Sequence, residues 1–269
     1  MTTKLPITAM VVGRNEAHLL NRCLSSVSFC NEILYTDILS SDNSKSIALN
    51  FNASIYESEL IPSCEFAQAD MVHKAKNDWV LFIDPDEYLD VELVKQLIDF
   101  YPNLSKSSHI GAVRVPWLFY FGQTKLIGTV WGSNSKYILV HKDRFTFNPI
   151  IHYGRELNVG YESFEIKLNS ERTNVLHHAW MPSFKVFFLK HFRYLKNEGR
   201  DRFKTGRRIT LLATFVTPLN AFYKSFILKR GFKNGFLGFT LSIFWALYET
   251  VANFSLLGLQ IFNKYFISK

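Results

Sequence analysis

The chain has 269 residues, 48% of them hydrophobic, and a net charge of +8. That composition can build a sizeable core, either as one large domain or as a domain with an appendage. Three scattered cysteines, Cys23, Cys30 and Cys64, form no metal-ligand spacing, which argues against a disulfide framework and for a reducing, cytosolic setting. The charge is unevenly placed: residues 1–179 sum to −4 and residues 180–269 to +12. The sequence therefore reads as an acidic portion over 1–180 joined to a basic tail over 181–269, with the boundary at Trp180-Met181-Pro182.

Ile7–Val12 reads as a buried strand. It is too short for a signal peptide and runs into Arg14-Asn15-Glu16. Ala17–Val27 places Leu19, Leu20, Cys23, Leu24 and Val27 at helical spacing. Glu32–Thr36 is a second strand, ending in Asp37 and the polar turn Ser40-Ser41-Asp42-Asn43-Ser44. Ser54–Tyr56 is a third strand, and Phe66–Lys76 a helix. Trp79–Ile83 is apolar on both faces, as in a buried strand of a parallel sheet, and breaks into Asp84-Pro85-Asp86-Glu87. Val91–Phe100 is a helix, stopped by Pro102. This alternation predicts an α/β fold with a mostly parallel sheet. Residues 111–147 turn strand-rich and are expected to extend the sheet and form a wall beside it. Trp117, Tyr120 and Trp131 in that wall are candidates to stack on a sugar, although core packing is the commoner fate of any single one.

Three acidic points follow strand ends: Glu16, Asp37 with Asp42, and Asp84-Pro85-Asp86-Glu87. In an open α/β sheet such loops converge on the edge where ligands bind. Asp37 suits a nucleoside, because a carboxylate accepts hydrogen bonds from ribose hydroxyls or a base N–H. Carboxylates packed as closely as Asp84, Asp86 and Glu87 repel one another unless a cation holds them. Hard oxygen ligands favour Mg²⁺ or Mn²⁺, which would bridge a diphosphate from Asp86 with Asp84. The competing reading is an acidic turn capping the helix near Val91. His177-His178 follows the apolar-flanked segment Asn174–Leu176, where either imidazole could join a metal site or pack at the boundary.

With Arg14-Asn15-Glu16, Tyr35-Thr36-Asp37, Ser41-Asp42-Asn43-Ser44, the Asp-Pro-Asp-Glu block and Gly235-Phe236-Leu237-Gly238-Phe239, the chain resembles family-two glycosyltransferases of the GT-A fold. Within that family it looks most like bacterial lipopolysaccharide-core β-glucosyltransferases. The resemblance implies a Rossmann-like, mostly parallel sheet flanked by helices. It implies a nucleotide-sugar donor contacted by Val12, Arg14, Glu16, Asp37, Asp42 and Asp84, and a Mg²⁺ or Mn²⁺ ion on Asp86 and His178. Two departures stand out. Ile38 follows Asp37, where the family commonly has Asp or Ser, and Ile138-Leu139-Val140 replaces an Arg-Leu-Phe segment. A cation for the diphosphate is then left to Lys136, His141 or Lys142. Relatives usually carry a His-Glu pair, interrupted here as His152-Tyr153-Gly154-Arg155-Glu156. Glu156 is the expected general base, with Asp143, Glu162 and Glu165 as rivals.

In the tail, nine basic residues over 185–208 begin among Phe184, Phe187, Phe188 and Phe192, a pattern suited to an amphipathic helix on anionic lipid. No nucleic-acid motif accompanies them. Ile209–Tyr223 is uncharged but contains Pro218, and Gly235–Asn263 carries one charge, Glu249, near its middle. A central carboxylate is costly in lipid, so helices lying on the surface are expected ahead of a span or an oligomerisation role. The expected protein is an inverting, metal-dependent hexosyltransferase. It would move glucose from UDP-glucose to a lipopolysaccharide-core or lipid-linked acceptor at the cytoplasmic face of the inner membrane. Two other readings are a degenerate membrane-surface scaffold and a nucleotidyltransferase. The second lacks a Gly-rich, basic phosphate loop after the first strand.

Overall fold

The structure, a computed structural model, describes residues 4–61, 64–132, 134–147 and 155–264. The chain forms two compact units, one of residues 1–117 with 134–178 and one of residues 118–133 with 179–269. The second unit thus begins within two residues of the charge boundary, and it also takes in a segment that the charge pattern groups with the first.

The first unit opens with β1 (Leu5–Gly13), α1 (Ala17–Ser26), β2 (Cys30–Asp37), α2 (Ser44–Asn50) and β3 (Ser54–Glu57). Next come α3 (Cys64–Met71), a 3₁₀ turn over Val72–Lys74 and β4 (Trp79–Ile83). β1, β2, β3 and β4 pair in parallel in the order β3-β2-β1-β4, with β1 and β4 buried almost throughout. β5 (Glu87–Leu89) then leads into α4 (Val91–Lys106). The helix does not stop at Pro102. Leu93, Leu97, Tyr101 and Leu104 keep one buried stripe across the proline, and the carbonyl it frees belongs to the exposed Ile98.

β6 (Ile110–Phe121) and β7 (Thr124–Lys125) follow, then β8 (Asn134–His141), β9 (Phe145–Phe147), β10 (Arg155–Leu157), β11 (Glu162–Glu165) and β12 (Leu176–Met181). β8 is antiparallel to both β4 and β6, which extends the parallel sheet as the strand-rich composition predicts. β9 and β10 form a separate two-stranded ribbon.

The second unit carries α5 (Phe184–Lys204), α6 (Leu211–Tyr223) and α7 (Gly235–Phe262). α6 and α7 make an antiparallel hairpin: Ile209 bonds Gln260, the Phe215 ring meets Phe254, and Ser225 Oγ lies 2.8 Å from Ser242 Oγ. Gly238 accounts for one glycine of the Gly235–Phe239 motif, because a Cβ there would stand 1.9 Å from the Gly231 carbonyl oxygen. Trp131, half-buried, packs among Trp180, Phe187, His191 and Trp245 of this unit.

Glu249 near the middle of α7 is paired. Arg202 of α5 reaches its two oxygens at 2.8 and 2.9 Å, bonds Asn253 Oδ1 at 2.9 Å and holds Glu198 at 2.8 Å. Arg202 is buried, which corrects its grouping with the lipid-facing bases of the tail. Two segments, Leu211–Leu228 and Gly231–Phe262, are long and apolar enough to cross a membrane by length and composition.

Candidate active site

The site lies at the carboxyl ends of β1, β2 and β4, where a parallel sheet presents its loops. Gly13 ends β1. A Cβ there would stand 3.0 Å from Pro85 Cγ and 3.0 Å from Tyr35 Oη, so glycine lets the β1 end and the Asp84–Glu87 turn close on each other. Capping of α4 falls to Asp90, whose carboxylate accepts from Glu92 N at 3.2 Å. Asp84, Asp86 and Glu87 are therefore not needed as the helix cap, and the competing reading of the acidic block fails for these three.

The cation that holds two of them together is Lys136. Its buried Nζ lies 2.9 Å from Asp84 Oδ2 and 2.6 and 2.8 Å from the two oxygens of Glu87. Burial pushes the Asp84 carboxyl up, but the Lys136 ammonium and Arg155 guanidinium more than reverse this and leave it well below the usual carboxylate range. Glu87, almost fully buried, is pushed up by burial, and Lys136 offsets that only in part. Burial lowers Lys136 itself, yet the two carboxylates win and it is raised. The register explains the meeting: Trp79 faces His141, Val80 faces Val140 and Leu81 faces Leu139, so continuing the ladder sets Asp84 against Lys136. The same register puts His141 and Lys142 at the start of β4, where Lys142 bonds the Ala75 carbonyl. Of the three cations considered for the diphosphate, only Lys136 is at the acidic end.

Asp86 and His178 are brought together. Asp86 Oδ2 lies 3.1 Å from His178 Nε2, both residues half-buried. The antiparallel pairing of β12 with β5 sets His178 opposite Glu87 and His177 opposite Tyr88. His178 also stacks on Trp117, with ring centroids 5.0 Å apart and planes at 6°. His177 instead bonds Asp90 at 3.0 Å and stacks on Tyr88. Octahedral donors about 2.1 Å from an ion stand about 3.0 Å apart. The Asp86–His178 pair fits that spacing. Among the described residues no group of three His, Cys, Asp or Glu side chains could hold a metal, so such an ion would take its other ligands from water and phosphate.

The donor-side residues divide. Asp37 is fully buried; its Oδ2 accepts from Ser40 N at 3.0 Å, and its Oδ1 has no hydrogen-bond partner among the described residues. Asp42 ties the loops instead. Its oxygens accept from Ala17 N, Ser44 N and Ser44 Oγ, and the Ser44 hydroxyl lowers its pKa. Glu16 precedes α1 but makes no capping bond, and burial with the nearby Asp86 charge raises it. Arg14 is exposed and the Val12 side chain is buried in β1.

Glu156 is exposed on the β9–β10 ribbon. Strand alternation turns Arg155 the other way. Arg155 lines a cavity of about 130 Å³ with Phe82, Lys136, Tyr137, Val140 and Phe145. Arg155, a residue the sequence reading passed over, is therefore the ribbon's contribution beside the carboxylates. His152, the first member of the interrupted pair, lies outside the described residues. Of the rival bases, Glu162 and Glu165 are exposed on β11.

No protein-family model matches the chain. Among solved structures it superposes over 95% of its length on 88% of a mannosyltransferase from Pyrobaculum calidifontis, with a TM-score of 0.57 and 10% identity. The fold is of the GT-A type. A smaller likeness to S. aureus TarS, at a TM-score of 0.36, spans 23% of that chain and 45% of this one. In sequence the GT-A chain is 24% identical to the lipopolysaccharide core biosynthesis glycosyltransferase LpsC of Rhizobium meliloti, over 92% of its own length and 90% of that protein. It is 22% identical to an uncharacterized glycosyltransferase of Rickettsia bellii, over 89% and 82% respectively. Both of these relatives are named glycosyltransferases, and the resemblance read from the acidic motifs holds at that level.

Proposed function

We propose that the protein is an inverting, divalent-metal-dependent glycosyltransferase. It moves a hexose, glucose from UDP-glucose as first choice, to a lipopolysaccharide-core or lipid-linked sugar. The observation that carries this reading is the Asp86–His178 pair at 3.1 Å, set beside Asp84 at the end of β4. LpsC, named for lipopolysaccharide core biosynthesis, supports the acceptor class. The solved mannosyltransferase was captured with GDP-mannose and Mn²⁺, which supports a nucleotide sugar and a divalent ion.

Asp86 and His178 would hold the ion, Mg²⁺ or Mn²⁺, whose positive charge would offset that of the departing diphosphate. Asp37 Oδ1 is an unsatisfied buried acceptor, a costly state that a ribose hydroxyl or base N–H would relieve. Because Asp37 is enclosed, a nucleoside would reach it only with some local rearrangement. Arg155 and Lys136 line the cavity beside Asp84, and their charge would act on a leaving phosphate that enters it. The base takes the acceptor hydroxyl proton as that oxygen bonds the anomeric carbon. The carbon–oxygen bond to the diphosphate breaks in the same step, so an α-linked donor gives a β-linked product.

A thermal-shift panel tests the reading. UDP-glucose with Mn²⁺ at 100 times its dissociation constant should stabilise the fold by about 2.7 kcal/mol. The shift should shrink when Mn²⁺ is left out. If no nucleotide sugar shifts the transition with either ion, the protein does not bind such a donor and the proposal fails.

Glu156 keeps the proposed role of base. Glu156→Gln preserves shape but cannot accept a proton, and kcat should fall by about 10²-fold with donor affinity nearly unchanged. A fall of less than about threefold would pass the role to Asp143, Glu162 or Glu165.

A further inference from the structure

The hairpin of α6 and α7 presents a continuous apolar face to solvent. On α7, Phe236, Phe239, Ile243, Leu247, Val251 and Phe254 recur at three- and four-residue intervals and all are exposed. On α6, Leu212, Phe215 and Leu219 are exposed to between 58 and 75%. No charged residue interrupts α6. A patch of this length on a folded surface marks an interaction site.

Its margins are basic. Arg207 and Arg208 precede α6, and Lys224, Lys229, Arg230 and Lys233 fill the turn before α7, all of them exposed. Apolar side chains bordered by cations complement a layer of anionic headgroups over hydrocarbon. We infer that the α6–α7 face lies in the plane of an anionic bilayer, within one leaflet, and does not cross it.

The packing of α5 decides between lying and spanning. Arg202 bonds Glu249 and Asn253, Phe187 packs on Phe244, and a Cβ on Gly199 would meet Ser255 Oγ at 2.3 Å. α5 therefore covers one long side of α7. Its N-terminal half exposes Phe184, Leu189 and Phe192, and from there on it carries exposed Arg193, Lys196, Arg200 and Lys204. A span through α7 would drag those charges into hydrocarbon, where they are costly. An in-plane seat leaves the charged C-terminal half of α5 in water and the Arg202–Glu249 pair intact. Glu249 therefore does not argue against lipid: it serves the side that faces protein.

Flotation tests this with the full chain and vesicles of phosphatidylcholine alone or mixed in equal parts with phosphatidylglycerol. Wild type should float with the anionic vesicles and be released by alkaline carbonate or detergent. High salt should release only part of it, since screening acts on the basic margin and not on the apolar face. Combined Leu212→Glu, Leu219→Glu and Leu247→Glu, at sites already exposed, should lower the bound fraction by about tenfold or more with the melting temperature unchanged. Lys224→Gln with Lys229→Gln and Lys233→Gln should remove the preference for phosphatidylglycerol. Resistance to carbonate would overturn the in-plane seat in favour of a span. A soluble dimer that ignores vesicles, and that the glutamate variant makes monomeric, would assign the face to a second copy. Donor-induced thermal shifts read the other unit's site, so failure here leaves the glycosyl-transfer proposal separately testable.

Discussion

Asp86→Ala is expected to abolish divalent-dependent turnover of a nucleotide sugar while the apoprotein melts nearly where wild type does. The two halves of this result have different origins. Asp86 is half-buried and bonds His178, so the fold loses one partly solvated hydrogen bond, worth about 0.5–1.5 kcal/mol. His178 keeps its place through the β12–β5 ladder and its stack on Trp117. The ion, in contrast, loses its carboxylate. Lewis-acid stabilisation worth several kcal/mol corresponds to a fall in kcat of about 10²–10³. His178→Ala should weaken Mn²⁺ dependence but leave measurable turnover, because the remaining ligand is the charged one. Full activity of wild type in excess chelator, or wild-type-like turnover of Asp86→Ala, would remove the metal from the scheme. The leaving-group charge would then fall to Lys136 and Arg155.

The acidic block was legible because burial and charge change abruptly at one position. Trp79–Ile83 is a strand with the predicted ends, and the three carboxylates follow it at the sheet edge. The helix after the block was also readable, although its length was not. A proline whose lost hydrogen bond faces solvent costs less than one facing the core, and only the packed stripe through Tyr101 and Leu104 shows which applies.

Lys136 could not be placed from sequence, because its meeting with Asp84 depends on the register of β8 against β4, and register is a tertiary property. Which β10 side chain lies beside the carboxylates was hidden for a related reason. In a three-residue strand, adjacent side chains point to opposite faces, and the sequence does not say which face meets the sheet. Arg202 and Glu249 stand 47 residues apart, so each reads as an isolated charge until α5 lies along α7. Residues 118–133 pack with the tail for a reason no charge average shows. Asn234 accepts from the Ile127 and Gly128 amides and donates to the Lys125 carbonyl.

Lys136→Met should cause the largest loss of stability among the substitutions considered. It leaves Asp84 and Glu87 facing each other with Glu87 almost fully buried. Breaking a buried ion pair from one side costs about 3–5 kcal/mol, because the remaining charge has no compensation. The sign with pH follows from Asp84, whose folded-state pKa lies below its unfolded one in wild type. That stabilisation is present above the unfolded value, about 3.9, and is lost as pH falls through the folded value. In the variant the cation is gone and both carboxyls should rise instead. The difference in melting temperature should therefore be widest near neutral pH and close as pH falls toward 4. Glu87→Gln added to Lys136→Met should restore most of the lost stability, since one half-buried carboxylate then remains. The double variant also separates two roles for the lysine. If it folds like wild type and still binds donor with unchanged affinity, Lys136 serves only to hold the turn. If donor affinity falls by about tenfold or more, its charge acts on the diphosphate as well. An unchanged melting temperature for Lys136→Met at neutral pH would show that the two carboxylates are already neutralised without it, and the account of the acidic block given by the Lys136 contacts would fall.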